Sequence, residues 1–300
     1  MKPAAFEYSR PANLDEACAL LASAADARPI AGGQTLVPLM AMRMARPGLL
    51  VDISRLAELA FVRREGDTIV IGAATRQCVL EHDPLIRTEL PLLAKVVPFI
   101  GHAPTRARGT VGGSLANADP AAEIALVAVT LGATLHYRDG SESVDLLAVD
   151  FFLGPMMTAL PPTALLTAVR FPVWSRCGVG FHEVSARKSD FAFASAAAQI
   201  VVDGEGRCRR VAIGLGSVAA VPLRLAGVEA ALIGTRAEPA IVRDALAAAL
   251  VDIEPLEDLH ASAAYRRRAA ATLAVRAIAD AYGGAHAQGS TRAQGSPHAR

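Results

Sequence analysis

An α+β fold class is predicted for this chain of 300 residues from three observations. Short β-branched runs alternate with helical patterns through the first half. Beyond residue 175, strand-like runs come first and helical runs follow, which suggests an α+β layer. Two Gly-Gly segments of the same grammar, Gly32-Gly33 and Gly112-Gly113, lie far apart between apolar flanks.

The length suggests about two domains with ample core. The first element is a helix opened by Asn13, with Glu16 as the return partner of a capping box. Leu14, Ala17, Cys18 and Leu21 fall on one of its faces. Residues 28–31 read as a strand running into the first Gly-Gly segment, 37–44 as helical after Pro38, and 49–53 as a buried strand. These form an N-terminal lobe, residues 1–55.

A middle lobe, 56–173, follows. Strands 61–64 and 68–71 flank Glu65-Gly66-Asp67 as a hairpin. Residues 76–81 and 85–100 read as helical, the second broken at Pro91 and Pro98, and 121–131 as a helix after the second Gly-Gly segment. Strands 134–137 and 143–146 form a hairpin around Arg138-Asp139-Gly140, and 164–171 is a further strand. Pro172-Val173-Trp174-Ser175 marks a boundary. A C-terminal α+β domain, 174–283, has strands at 179–184, 196–202 and 209–215, then helices at 224–233, 241–250 and 261–282. Residues 284–300 have almost nothing apolar and are expected to be a disordered tail.

The net charge of +1 gives no reason to expect a nucleic-acid or membrane-surface partner. No stretch is apolar over a bilayer-spanning length, and the N-terminus lacks a signal-peptide core, so a cytoplasmic location without membrane insertion is expected. Cys18, Cys78, Cys177 and Cys208 are too dispersed for an iron–sulfur cluster carried by this chain. The histidines are scattered, and no nucleophile–base pair, carboxylate dyad or metal-ligand cluster is visible. No catalytic residue and no metal site are assigned.

The chemistry points to the Gly-Gly segments. Thr110-Val111-Gly112-Gly113-Ser114 reads as a tight turn whose glycines admit φ > 0 and close backbone approach. Successive N–H groups in such a turn form a concavity for anions, flanked here by two hydroxyls. Ala31-Gly32-Gly33-Gln34-Thr35-Leu36 has the same grammar, so two turns could close on one diphosphate. Neither fits the Rossmann or P-loop pattern. Asp119 is read either as the cap of the helix after Pro120 or as a ligand contact. Glu123 is read either as a ligand contact or as a first-turn carboxylate favoured by the helix dipole. Arg106 and Arg108 suit carboxylate or phosphate equally. Arg266-Arg267-Arg268 is read as a solvated helix face, and Met40, Met42 and Met44 as core filler.

Together, the two segments, Arg106-Ala107-Arg108-Gly109 before the second and Ala118-Asp119-Pro120-Ala121-Ala122-Glu123 after it resemble the FAD-binding medium subunit of molybdenum hydroxylases. This is the family of carbon monoxide dehydrogenase medium subunits and the xanthine dehydrogenase FAD domain. The resemblance runs over residues 1–283. It implies a two-lobed FAD-binding fold of the vanillyl-alcohol-oxidase/PCMH type followed by a C-terminal α+β domain. It also implies that Ala31, Gly32, Gly33, Gln34, Thr35 and Leu36, with Thr110, Val111, Gly112, Gly113 and Ser114, bind the FAD diphosphate. Asn117 would line the cleft, Glu123 would hydrogen-bond the cofactor's polar chain, and Arg187 and Lys188 would reach the flavin from the C-terminal domain. The family often has Gly where this chain has Ser189.

The function implied is electron transfer within a heterotrimer. A large subunit would hold the molybdenum cofactor and a small subunit the [2Fe–2S] clusters. This chain would pass electrons through noncovalent FAD to an external acceptor. The alternative is a stand-alone flavin oxidase of the wider fold. Such enzymes often tether FAD through His or Cys, and neither residue lies in either Gly-Gly segment. A scaffold that has lost FAD ranks last, because the segments carry no damage.

Overall fold

The computed structural model describes residues 2–293. The chain opens with β1 (Glu7–Ser9), α1 (Leu14–Ser23), β2 (Ala27–Ile30), α2 (Leu36–Ala41) and β3 (Leu49–Asp52). The three strands are parallel, in the order β1-β3-β2. The Asn13 side chain caps α1 by accepting from the Glu16 N–H at 2.9 Å. The Glu16 carboxylate returns to the N–H of Ala12 at 2.7 Å, one residue earlier than a standard box. Ala17, Cys18 and Leu21 are buried against the sheet. α2 is shorter than the predicted 37–44, because Arg43 turns to φ 59 directly after it. Met40 is core, but Met42 and Met44 are exposed rather than filler.

The middle region holds β4 (Val62–Glu65), β5 (Thr68–Gly72), α3 (Gln77–His82), α4 (Pro84–Glu89), α5 (Pro91–Val96), α6 (Ala103–Arg108), α7 (Val111–Asn117) and α8 (Glu123–Leu131). It continues with β6 (Thr134–Asp139), β7 (Glu142–Leu147), α9 (Ala148–Phe151), β8 (Phe152–Gly154), β9 (Met157–Thr158) and β10 (Ala164–Pro172). Five strands form an antiparallel sheet, β4-β5-β10-β6-β7, and β8-β9 is a separate ribbon. The predicted breaks at Pro91 and Pro98 are both present: a new helix begins at Pro91, and a 3-10 turn, Val97–Phe99, contains Pro98; Pro84 adds a helix start that the sequence reading did not single out. Pro84 and Pro91 each start a helix, where a missing N–H costs nothing.

The last region has β11 (Gly178–Ser185), β12 (Ala192–Val202), β13 (Cys208–Gly216), β14 (Leu223–Arg224), α10 (Ala226–Leu232), α11 (Pro239–Ala249) and α12 (Ala263–Ala293). Its sheet is antiparallel in the order β11-β12-β13-β14. Both faces are covered. Ala194, Ala196, Ala198 and Ile200 pack under α12, while Phe181, Ala197 and Ala212 join the core around α8. A Cβ at Gly178 would lie 1.9 Å from the Ala281 carbonyl oxygen, and one at Gly180 equally close to that of Ala277. The two glycines therefore let β11 lie directly on the backbone of α12.

That contact explains a difference from the sequence reading. α12 continues through Gly283-Gly284 to Ala293, where composition predicts a disordered tail. Gly284 lies against Gly178, and Ala285 is buried, so the helix gains packing that composition does not register. The rest of the predicted tail, 294–300, lies outside the described residues. Arg266 also departs from the solvated face predicted for it. It is 4 % exposed and donates to the carbonyls of Phe193 (2.7 Å) and Ser217 (2.8 Å) and to Asp258 (2.6 Å). This guanidinium ties α12 to the ends of two strands.

Candidate cofactor site

The first Gly-Gly segment is an open loop between β2 and α2. Gly33 has φ +66°, a conformation that favours glycine. Gln34 donates from its amide to the Gly32 carbonyl at 3.1 Å. Among the described residues, no protein group accepts a hydrogen bond from the backbone N–H groups of residues 32–36. Ala31, Gly32, Gly33, Thr35 and Leu36 are half-buried and Gln34 is exposed, so the row of donors is not sealed in the core. Unpaired N–H groups in sequence are an anion-binding arrangement.

The second segment meets the first. A Cβ on Gly32 would lie 2.4 Å from the Arg108 carbonyl oxygen and 2.8 Å from Gly109 Cα. The Arg108 carbonyl also accepts from the Arg76 guanidinium. Gly109 accepts from the Gln77 N–H at 2.9 Å. One backbone crossing thus places residues 31–36 beside Thr110.

From Thr110 onward the predicted tight turn is replaced by the first turn of α7. Thr110 is its N-cap, accepting from the Gly113 N–H at 3.0 Å. Val111 donates to Thr75 (3.0 Å), Gly112 to Ala73 (2.8 Å) and Ser114 to Thr110 (3.1 Å). The N–H groups of this segment are therefore spent inside the protein, and the second N–H nest expected from sequence is absent. Gly112 is glycine for packing: its Cβ would sit 2.4 Å from Ala73 Cβ. What the segment presents outward is a smooth helix face, with Gly113 and Ala116 exposed and Ser114 and Asn117 half-buried. Asn117 donates to the Met156 sulfur at 3.6 Å.

Ala118, at φ 50°, ends α7 and turns the chain into Asp119-Pro120. Asp119 accepts from the Ala121 N–H at 2.9 Å in an Asx turn, and it does not cap α8, whose N-cap is Ala122 without a side-chain hydrogen bond. Glu123 then occupies the first position of α8. Burial, with the Asp119 charge as a smaller contribution, pushes its carboxyl up to about 7. Helix α8 lies on the C-terminal sheet: a Cβ on Gly216 would meet Leu126, and one on Gly214 would meet Thr130. Glu123, one turn before Leu126, shares that helix face.

The sheet answers with Glu183. It pairs in register with Ser195, and Ser195 with Gly216, so all three lie on the face that receives α8. Burial, followed by the Glu123 charge, raises the Glu183 carboxyl to about 8. Its Oε2 is buried without a hydrogen-bond partner. The sequence reading passed over Glu183, although a carboxylate two residues after Phe181 on the apolar side of a strand was a visible signal. Nearby, Ser217 (φ 61°) donates from its backbone to the Pro120 carbonyl at 2.8 Å, which ties the sheet to the entry of α8.

Arg187 and Lys188 are not gathered into this arrangement. They lie on the exposed β11–β12 hairpin and make no hydrogen bond or ion pair with another candidate residue among those described. Ser189 in that hairpin has φ 70°, which explains why glycine suits the position. Arg106 is structural. It pairs with Glu81 at 2.9 Å and donates to the carbonyls of Ile100 and Gly101. Among the described residues, no group of His, Cys, Asp and Glu is placed to hold a metal ion, and no helix is long and apolar enough to cross a membrane.

The family described as the FAD binding domain in molybdopterin dehydrogenase matches residues 4–174. The CO dehydrogenase flavoprotein C-terminal domain matches residues 180–281. Caffeine dehydrogenase subunit beta from Pseudomonas sp. (strain CBB1) is 36 % identical, covering 94 % of this chain and 96 % of the relative. The carbon monoxide dehydrogenase medium chain of Afipia carboxidovorans is 34 % identical over 93 % of this chain and 97 % of its own. In a solved carbon monoxide dehydrogenase from Hydrogenophaga pseudoflava, lacking the Mo-pyranopterin moiety, a chain 34 % identical superposes with a TM-score of 0.91, covering 95 % of this chain and 99 % of that one.

Proposed function

This chain belongs to the family of FAD-binding medium subunits of molybdenum hydroxylases, and from that membership we propose that it relays electrons from a [2Fe–2S] subunit, through noncovalently held FAD, to an external acceptor. The reading is carried by one observation above all: the unpaired N–H row of residues 32–36, fixed against the Arg108–Gly109 backbone. A diphosphate brings charge that a protein of net charge +1 must meet locally. Backbone N–H groups meet it without burying a lysine.

The remaining roles follow along the groove. Ala31, Gly32, Gly33, Gln34, Thr35 and Leu36 receive the diphosphate. Thr110, Val111, Gly112, Gly113 and Ser114 act differently from an N–H nest: they build the capped α7 turn on which the cofactor rests. α7 has seven residues, so it guides the ligand over about 10 Å. Asn117 lines its far end and Glu123 accepts from the polar chain. Arg187 and Lys188 stand on the exposed hairpin at the same end of the sheet as Glu183 and would contact the flavin from the C-terminal domain. FAD supplies the redox chemistry, and the chain binds, orients and shields it. A large molybdenum subunit and a small [2Fe–2S] subunit complete the electron path.

The test is anaerobic reduction of the assembled complex. Substrate of the large subunit should bleach the flavin absorbance only when the small subunit is present. Reduced clusters beside a flavin that stays oxidised would overturn the relay.

A further inference from the structure

We propose that Met156 is a site of reversible oxidation whose sulfoxide acts on the cofactor groove through Asn117. The proposal rests on the FAD reading above and adds a control to it. Met156 stands in the turn of the β8–β9 ribbon, and it ties that ribbon to the end of α7 twice. Its backbone N–H donates to the Ala118 carbonyl at 2.9 Å. Its sulfur accepts from the Asn117 side-chain amide at 3.6 Å. The side chain is 51 % exposed, so a small oxidant reaches it. Met42, Met44 and Met157 are exposed too, but their sulfurs make no hydrogen bond to a candidate cofactor residue among those described. Met40 is buried and serves as an internal reference.

The chemistry of this contact fixes the direction of the effect. A thioether sulfur is a weak acceptor, so the Asn117 amide can turn from it to a ligand. Hydrogen peroxide, taken as the oxidant, transfers one oxygen to the sulfur. An S–O bond forms and the O–O bond breaks; the sulfur loses two electrons, and the peroxide is reduced to water. The sulfoxide is polar. Its oxygen, carried on the sulfur that already faces Asn117, is a stronger acceptor for the same N–H. The amide is then held by Met156 and withdrawn from the groove. Asn117 is the last residue of α7, so its side chain is part of the wall on which the cofactor rests. Met156 is therefore a positioning residue that acts through Asn117. The link to Ala118 is made by backbone atoms alone, so oxidation of the side chain leaves the ribbon in place. A thiol-dependent sulfoxide reductase reverses the step, removing the oxygen as water while two thiols join as a disulfide.

The experiment treats the deflavinated full chain with hydrogen peroxide, maps methionine oxidation by peptide mass spectrometry and then titrates FAD by flavin fluorescence. Met156 should gain one oxygen while Met40 stays unmodified. The Kd for FAD should rise by about fivefold, the loss expected for one neutral hydrogen bond, and sulfoxide reductase should restore it. Met156→Leu has no sulfur at this position and should show one Kd before and after peroxide, although Met42, Met44 and Met157 remain exposed to it. Met156→Gln carries a strong acceptor oxygen there and should show the raised Kd without peroxide. Thermal unfolding confirms that each variant is folded. A Met156 that stays unmodified while Met44 is oxidised, a Met156 sulfoxide with unaltered Kd, or a Met156→Leu chain that loses affinity as the wild type does would overturn the proposal and leave the FAD reading intact. An untreated chain that takes no FAD would overturn the FAD reading as well, so the two failures are distinguishable.

Discussion

Gly32→Ala should cost both stability and cofactor affinity, and the structure gives the size of each effect. The new methyl would stand 2.4 Å from the Arg108 carbonyl oxygen, 2.8 Å from Gly109 Cα and 2.9 Å from the Arg108 carbonyl carbon. Heavy atoms pack favourably at about 3.5 Å or more, so the two backbones must part by about 1 Å. The Arg108–Gly109 side is pinned by Arg76, by Gln77 and by the Gly109 N–H, which donates to Thr105 at 2.7 Å. The strain therefore falls on residues 31–36. Overpacking of this kind costs about 1–3 kcal/mol. Misplacing one N–H from a phosphate oxygen removes a charge-assisted hydrogen bond of about 1.5–3 kcal/mol, roughly a ten- to hundredfold rise in Kd.

The comparison is Gly113→Ala. Its Cβ approaches only the Thr110 hydroxyl, at 2.7 Å. A weakened cap costs about 1 kcal/mol, and the helix propensity of alanine returns about the same. Stability should be nearly unchanged while FAD binding weakens, because Gly113 is on the exposed face of α7. Urea unfolding and FAD fluorescence titration read both quantities. A Gly32→Ala chain with unaltered midpoint and unaltered Kd would refute the reasoning that this crossing holds the loop.

Three further outcomes are expected. The carboxyls of Glu123 and Glu183 lie above the ordinary value of 4.5, at about 7 and about 8, so the folded chain retains protons that the unfolded chain releases. The contribution of these two carboxyls to stability without cofactor should be fully present below about pH 4.5, fall as pH rises toward about 8 and then level off; thermal midpoints of the wild type against Glu183→Gln from about pH 5 to about pH 9 check it, and a gap between the two that widens in the opposite sense would contradict the assignment. Arg266→Ala leaves two strand-end carbonyls and Asp258 without their donor and should cost about 3 kcal/mol in urea unfolding. Gly178→Ala forces β11 off the backbone of α12 and should destabilise by at least about 2 kcal/mol, with loss of helicity toward Ala293 in circular dichroism.

Much of the fold was legible because local signals agree with tertiary ones. The Asn13–Glu16 cap, the hairpin at Gly66 (φ 60°) and the proline breaks at Pro91 and Pro98 each have a cause within a few residues. The first Gly-Gly segment was legible for the same reason: Gly33 does adopt positive φ. The second was misread as a turn because Gly112 is set by a partner distant in sequence, Ala73, and not by local backbone demands. α6 and the short strands β8, β9 and β14 carry no periodic pattern long enough to be read. Arg266 was misplaced for a similar reason, since three consecutive arginines on a helix face different directions and one of them points into the sheet. Glu183 stood in plain view, but its partner Glu123 lies on another element, and only the packing of α8 on the sheet brings them together.

The most direct test of the account is to add FAD to the purified, deflavinated chain and then precipitate it with acid. The account predicts saturable binding and flavin released wholly into the supernatant, as expected of a cofactor held by backbone N–H groups and carboxyl hydrogen bonds. Flavin retained in the pellet, or a folded chain that binds none, would contradict it.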